Sequence, residues 1–123
     1  MKEILEKGPV VVSFEPDYTF MLYKKGIYKS MRKTWIDLKI STKPQWQKVD
    51  HSVVAVGWGK ILIIFLGYDE EKKTKYWLLQ NSWGENWGDK GYFKMIRGID
   101  HGGIESICEG GNIKPIKKSI KLF

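Results

Sequence analysis

Three short runs of β-branched and aromatic residues, Ser52–Val56, Tyr76–Gln80 and Gly91–Ile96, are separated by clusters of glycine. The clusters fall at Gly57 and Gly59, from Gly84 to Gly91, and at Gly102 and Gly103. Glycine supplies the backbone freedom that tight turns demand. Strands of this length joined by glycine turns specify an antiparallel sheet or a partly closed barrel. Val10–Phe14 adds another β-branched run with the look of a buried strand, and Ile104–Cys108 a last one. Helix signals are few: Lys2–Lys7, stopped by Gly8 and Pro9, and one turn over Asp17–Leu22. Residues 29–49 mix charge with turn residues and read as a long surface excursion. The expected architecture is therefore α+β, mainly antiparallel β, in a single domain over residues 1–123 with a basic tail at 111–123.

Composition narrows the function classes. The 123 residues carry a formal charge of +7, yet the lysines are scattered in short groups such as Lys24-Lys25 and Lys117-Lys118. No basic stripe is interleaved with aromatics, so a solvated basic surface is expected and no nucleic-acid partner. The longest apolar run, Ile61–Leu66, is far too short to span a bilayer, and Met1–Lys7 lacks the apolar core of a signal peptide. No membrane association is expected. Cys108 is the only cysteine, which excludes an internal disulfide, and no spacing suggests a metal site. Six Trp and six Tyr are many for this length and suggest a cleft or interface as well as a core.

His51 opens one predicted strand and Asn81 closes another, where rigid backbone can fix a side chain that faces a cleft. Each alone has a plain structural reading, a hydrogen-bonded histidine and a turn asparagine. The strings around them are more specific. Residues 50–59 read Asp-His-Ser-Val-Val-Ala-Val-Gly-Trp-Gly, and residues 76–93 read Tyr-Trp-Leu-Leu-Gln-Asn-Ser-Trp-Gly-Glu-Asn-Trp-Gly-Asp-Lys-Gly-Tyr-Phe. In this order they resemble the histidine and asparagine motifs of papain-like cysteine peptidases. Residues 8–15 resemble the strand before the histidine. Residues 23–28, Tyr-Lys-Lys-Gly-Ile-Tyr, and the stretch Arg97–Ile107 are similar to the dipeptidyl peptidase I (cathepsin C) branch, in particular its light chain.

The resemblance implies the β-barrel-like right-hand half of the papain-like fold. It implies His51 as the base that takes a thiol proton and later protonates the leaving amine, with Asn81 orienting the imidazole. It further implies that Trp83 shields the His–Asn bond, that Trp87 lines the leaving-group side, and that Ile107 forms the floor of an apolar S2 pocket. Ordinary core packing is the alternative for these last three. The substrate class implied is peptide or protein, the activity release of dipeptides from N-termini, and the compartment lysosomal, vacuolar or secretory. A cathepsin-type endopeptidase and a non-catalytic remnant or binding module remain as alternatives.

Several positions depart from the family pattern. No cysteine precedes His51, so the nucleophile is expected from a Cys-bearing heavy chain or an N-terminal segment missing from this chain. Cys108 reads as a structural or surface thiol, and the chain alone is expected to be inactive. A family cysteine before the S2 strand is replaced by Gly102-Gly103. In the dipeptidyl peptidase branch a tyrosine near S2 helps bind chloride, the one bound ion the resemblance suggests; here Asp17 holds that register, beside Tyr18. Sixteen residues separate Gly59 from Tyr76, longer than the family's hairpin loop, and Lys60–Gly67 supplies the excess. That stretch reads either as a lengthened hairpin or as a translated short intron.

Overall fold

The computed structural model describes residues 1–30, 49–63 and 72–111. Most of the predicted 29–49 excursion, the centre of the Lys60–Gly67 stretch and the basic tail beyond Gly111 lie outside the described residues. Helix α1 spans Lys2–Lys7 and ends at Gly8, whose φ of 100° favours glycine. Strand β1 covers Val10–Phe14. A 3₁₀ turn follows at Tyr18–Leu22, capped by Asp17, whose Oδ1 accepts from the Thr19 N–H at 2.8 Å. Then come β2 at Ile27–Tyr28, β3 at His51–Ile63, β4 at Lys72–Gln80, β5 at Tyr92–Ile96 and β6 at Cys108–Glu109.

The six strands form one sheet in the order β2-β5-β4-β3-β1-β6. Every pairing is antiparallel except β2 with β5. Among the described residues the sheet is open: β2 and β6 are its two edges, so it does not close into a barrel. Its register puts Val10, Val12 and Phe14 opposite Ala55, Val53 and His51. Residues directly opposite share a face, so these six side chains point the same way, with Leu79 opposite Ala55 and Phe93 opposite Leu79 continuing the face. That face is the core, and β1 is buried on it alone; its burial alternates instead of being continuous. Strands β3 and β4 continue past Gly59, pairing Lys60 with Lys75 and Ile63 with Lys72. The start of the Lys60–Gly67 stretch therefore extends the hairpin.

The predicted final strand over Ile104–Cys108 does not form as such. A 3₁₀ turn occupies His101–Gly103, Ile104 is buried against the core, and the chain becomes strand only at Cys108. Asp100 and Glu105 accept each other's backbone N–H groups, and Gly102, at a φ of 59°, is packed against Glu15, so the chain turns ahead of Ile104 and stays a loop until Cys108. Gly102 cannot take a side chain there, because a Cβ would stand 2.8 Å from the Glu15 carbonyl oxygen.

Tyr23 ties the loop after the 3₁₀ turn to the sheet. Its hydroxyl donates to the Gly26 carbonyl at 2.7 Å and accepts from the Lys94 N–H at 3.2 Å. Burial raises its pKa, opposed by the Lys94 bond and reinforced by the charge of Asp89. Burial likewise raises that of Tyr28. Tyr23→Phe should cost about 1–3 kcal/mol in urea unfolding, because it leaves the Lys94 N–H without its acceptor. A group whose pKa is raised on folding contributes stability that is intact below about pH 10, the unfolded value, and is lost as pH rises through the folded value. Unfolding midpoints measured across that range should fall less steeply in Tyr23→Phe than in the wild type.

Candidate active site

Antiparallel pairing of β3 and β4 sets the beginning of one beside the end of the other. Val54 pairs with Gln80, so continuing the register carries Asn81 to the place opposite Val53, two residues from His51 and on its face. The side chains meet there: His51 Nε2 lies 2.9 Å from Asn81 Oδ1. The same Oδ1 accepts from the Ser82 N–H at 2.9 Å, which identifies it as the oxygen. His51 Nε2 therefore donates and carries the proton. In the neutral imidazole Nδ1 is then an acceptor, the atom on which a thiol proton would land. Asn81 is buried, and its backbone N–H donates to the Gly91 carbonyl at 2.9 Å. Its Nδ2 is buried without a hydrogen-bond partner among the described residues, a cost tolerated more often at working sites than in plain cores.

An aromatic cluster holds this pair from one side. Trp83 stands beside His51, ring centroids 5.1 Å apart, and remains 42% exposed. Trp87 is half-buried and packs on Phe20 at 4.9 Å, Trp83 at 5.1 Å and Phe93 at 5.6 Å. Its Nε1–H donates to the Met21 carbonyl at 3.1 Å. Trp87 is thus as much a brace between the 3₁₀ turn and β5 as a surface residue. The Ser82–Gly91 turn that carries both Trp residues depends on Gly88: its φ is 61°, and a Cβ there would stand 2.7 Å from the Tyr92 carbonyl.

Phe20 and Phe14 were not singled out in the sequence, yet both are fully buried and both touch His51, at 5.9 and 5.6 Å between centroids. Phe20 also contacts Phe14, Tyr28, Trp83, Trp87 and Phe93. No spacing rule marks such a hub, since a lone Phe in a 3₁₀ turn looks like any other apolar residue.

Ile107 lies across the sheet from this cluster. Its carbonyl accepts from the Ser13 N–H at 3.1 Å, Ser13 pairs with Ser52, and the two serine hydroxyls are 2.9 Å apart. Ile107 therefore occupies the same end of the sheet as His51, two strands away. Cys108 follows it, exposed and opposite Val12 on the edge strand. It lines a groove of about 700 Å³ between α1 and the sheet, with Ile4, Val10, Leu79 and Ile104, which includes neither His51 nor Asn81.

The chloride suggested by the resemblance does not fit the residues present. Asp17 takes the Thr19 N–H on Oδ1 and the Ser30 hydroxyl on Oδ2 at 2.6 Å. A carboxylate offers an anion no donor and repels its charge. Among the described residues no group of His, Cys, Asp and Glu could hold a metal ion, and no helix is long and apolar enough to cross a membrane.

The model of the papain family of cysteine proteases matches residues 1–111. The chain belongs to that family. It is 39% identical over 114 residues to dipeptidyl aminopeptidase 1 of Plasmodium falciparum, covering 86% of this chain and 15% of that protein. To a cathepsin B-like cysteine proteinase of Schistosoma japonicum it is 35% identical over 113 residues, covering 92% of the chain and 27% of the relative. Among solved structures, digestive procathepsin L2 from Tenebrio molitor larval midgut superposes with a TM-score of 0.62 at 32% identity, over 87% of this chain and 28% of that one. This papain-family chain thus spans well under a third of the length of each of these three.

Proposed function

We propose that this chain supplies the histidine–asparagine half of a cysteine-peptidase active site, completed by a Cys-bearing chain or segment, and that the assembled protein releases dipeptides from free N-termini of peptides. The observation that carries the reading is the 2.9 Å bond from His51 Nε2 to Asn81 Oδ1, which leaves Nδ1 as the free acceptor. In the reaction a thiol gives its proton to Nδ1, and the thiolate attacks the scissile carbonyl carbon. The imidazolium then protonates the departing amine, and water hydrolyses the thioester. Asn81 holds the tautomer, Trp83 limits water at the His–Asn bond, Trp87 borders the leaving-group side, and Ile107 offers an apolar surface to the substrate side chain two places before the scissile bond.

The dipeptide-releasing part rests on similarity in two stretches, Tyr23–Tyr28 and Arg97–Ile107, and on the relative described as a dipeptidyl aminopeptidase. The cathepsin B-like relative, of nearly equal identity, supports an endopeptidase as the second reading. One experiment separates these and tests the whole. The native protein is purified, its chains are resolved by mass spectrometry, and it is treated with an epoxide that alkylates active-site cysteines. A labelled cysteine on a companion chain, or on a segment continuous with this one, is expected; a lone chain of this mass without label would sink the proposal. Hydrolysis of a free-amine dipeptidyl-amide reporter but not of its N-blocked form marks dipeptide release, and the reverse marks an endopeptidase.

A further inference from the structure

Glu105 is exposed, yet both of its carboxylate oxygens are engaged. Oε1 accepts from the Trp77 indole N–H at 2.9 Å and the Gly98 N–H at 2.6 Å, and Oε2 accepts from the Asp100 N–H at 3.1 Å. Asp100 answers in kind: its Oδ1 accepts from the Glu105 N–H at 2.9 Å, and its Oδ2 from the Ser106 hydroxyl. The two side chains close the 98–106 loop on itself and anchor it to β4 through Trp77. They also hold Asp100 at a φ of 50°, a conformation that a non-glycine residue adopts only when its surroundings compensate. The chain leaves this knot at Ser106, and the next residue is Ile107, fixed on its other side by the Ser13 N–H.

We infer that Glu105 is a positioning residue for substrate selectivity: through the Glu105–Asp100 knot it fixes Ile107, and with it the apolar surface that meets the side chain two places before the scissile bond. This rests on the peptidase reading above. It assigns Glu105 no contact with substrate. A carboxylate is required because three N–H groups converge on it, and it offers only acceptors. An amide in its place turns one oxygen into a donor facing N–H groups, opening the knot without removing bulk.

The test uses the assembled Cys-bearing protein, with intact sites counted by epoxide labelling. It compares kcat/KM for reporters with leucine and with glycine at the position in question. Glu105→Gln should lower the leucine-to-glycine preference about tenfold, mostly through the leucine substrate, a change of the size that fit to an apolar pocket commands. Loss of folded enzyme alone would lower both substrates together and leave the ratio fixed. Asp100→Asn, which keeps an acceptor for the Glu105 N–H and tolerates the positive φ, should shift the ratio in the same direction by less. It serves also where Glu105→Gln fails to fold. Ile107→Ala should abolish the preference, and adding Glu105→Gln to it should change nothing further. An unchanged ratio in both knot variants, or effects of Glu105→Gln and Ile107→Ala that multiply, overturns the inference and leaves the peptidase reading standing. Absence of any thiol-dependent hydrolysis would overturn both.

Discussion

Phe20→Ala is expected to destabilise this domain by about 3–5 kcal/mol, the upper range for removing a buried ring. Phe20 has no exposed surface and touches six other rings, including His51 and both Trp83 and Trp87. Its loss would leave a cavity between the 3₁₀ turn, β1 and β5. The cavity is bounded by stiff sheet on two sides, so the walls can close only by moving the turn that carries Trp87. Urea unfolding followed by tryptophan fluorescence measures both consequences, a lower midpoint and a change in native emission. Phe20→Leu keeps most of the volume and should cost far less, about 1–2 kcal/mol. A cost below about 1 kcal/mol for the alanine variant would show that the cluster does not depend on this ring.

His51→Ala in the assembled, Cys-bearing protein should lower kcat at least about a thousandfold, because the proton acceptor, the thiolate's counter-ion and the acid for the leaving amine are lost together. Stability should change little by comparison, since His51 is only half-buried and contributes ring edges to Phe14 and Phe20. Asn81→Ala should lower kcat by a smaller factor, because an imidazole without its acceptor still samples the productive tautomer and orientation. It also removes a buried N–H that has no partner among the described residues, so its stability cost should be milder than that of a fully satisfied buried asparagine. Reporter kinetics normalised to labelled sites, beside urea midpoints of the same samples, check both. Dipeptide release that persists unchanged in His51→Ala would remove His51 from the chemistry.

The sequence by itself determined a good deal. Helix α1 and strand β1 begin and end where Gly8, Pro9 and the β-branched run place them, and the three runs lie within β3, β4 and β5; Gly57 and Gly59, however, do not end a strand, since β3 runs through them with only a register shift between Ala55 and Gly57. His51 and Asn81 were legible because each stands at a strand end inside a long, specific string. These are local properties: a glycine turn or an alternating strand is set by residues within a few positions of one another. What only the tertiary structure decided depends on residues far apart. The sheet order and its open edges, the parallel pairing of β2 with β5, and the Phe20 hub arise from which faces must be buried together. The failure of Ile104–Cys108 to form one strand has the same origin. Its apolar pattern favours a strand, but the reciprocal bonds of Asp100 and Glu105, with Gly102 held at positive φ against the Glu15 carbonyl, favour a loop. Side chains that capture backbone N–H groups compete directly with strand pairing, and here they win. The 2.9 Å His51–Asn81 bond joins the two levels: sequence supplied the residues, and the antiparallel register of β3 and β4 brought together side chains thirty positions apart.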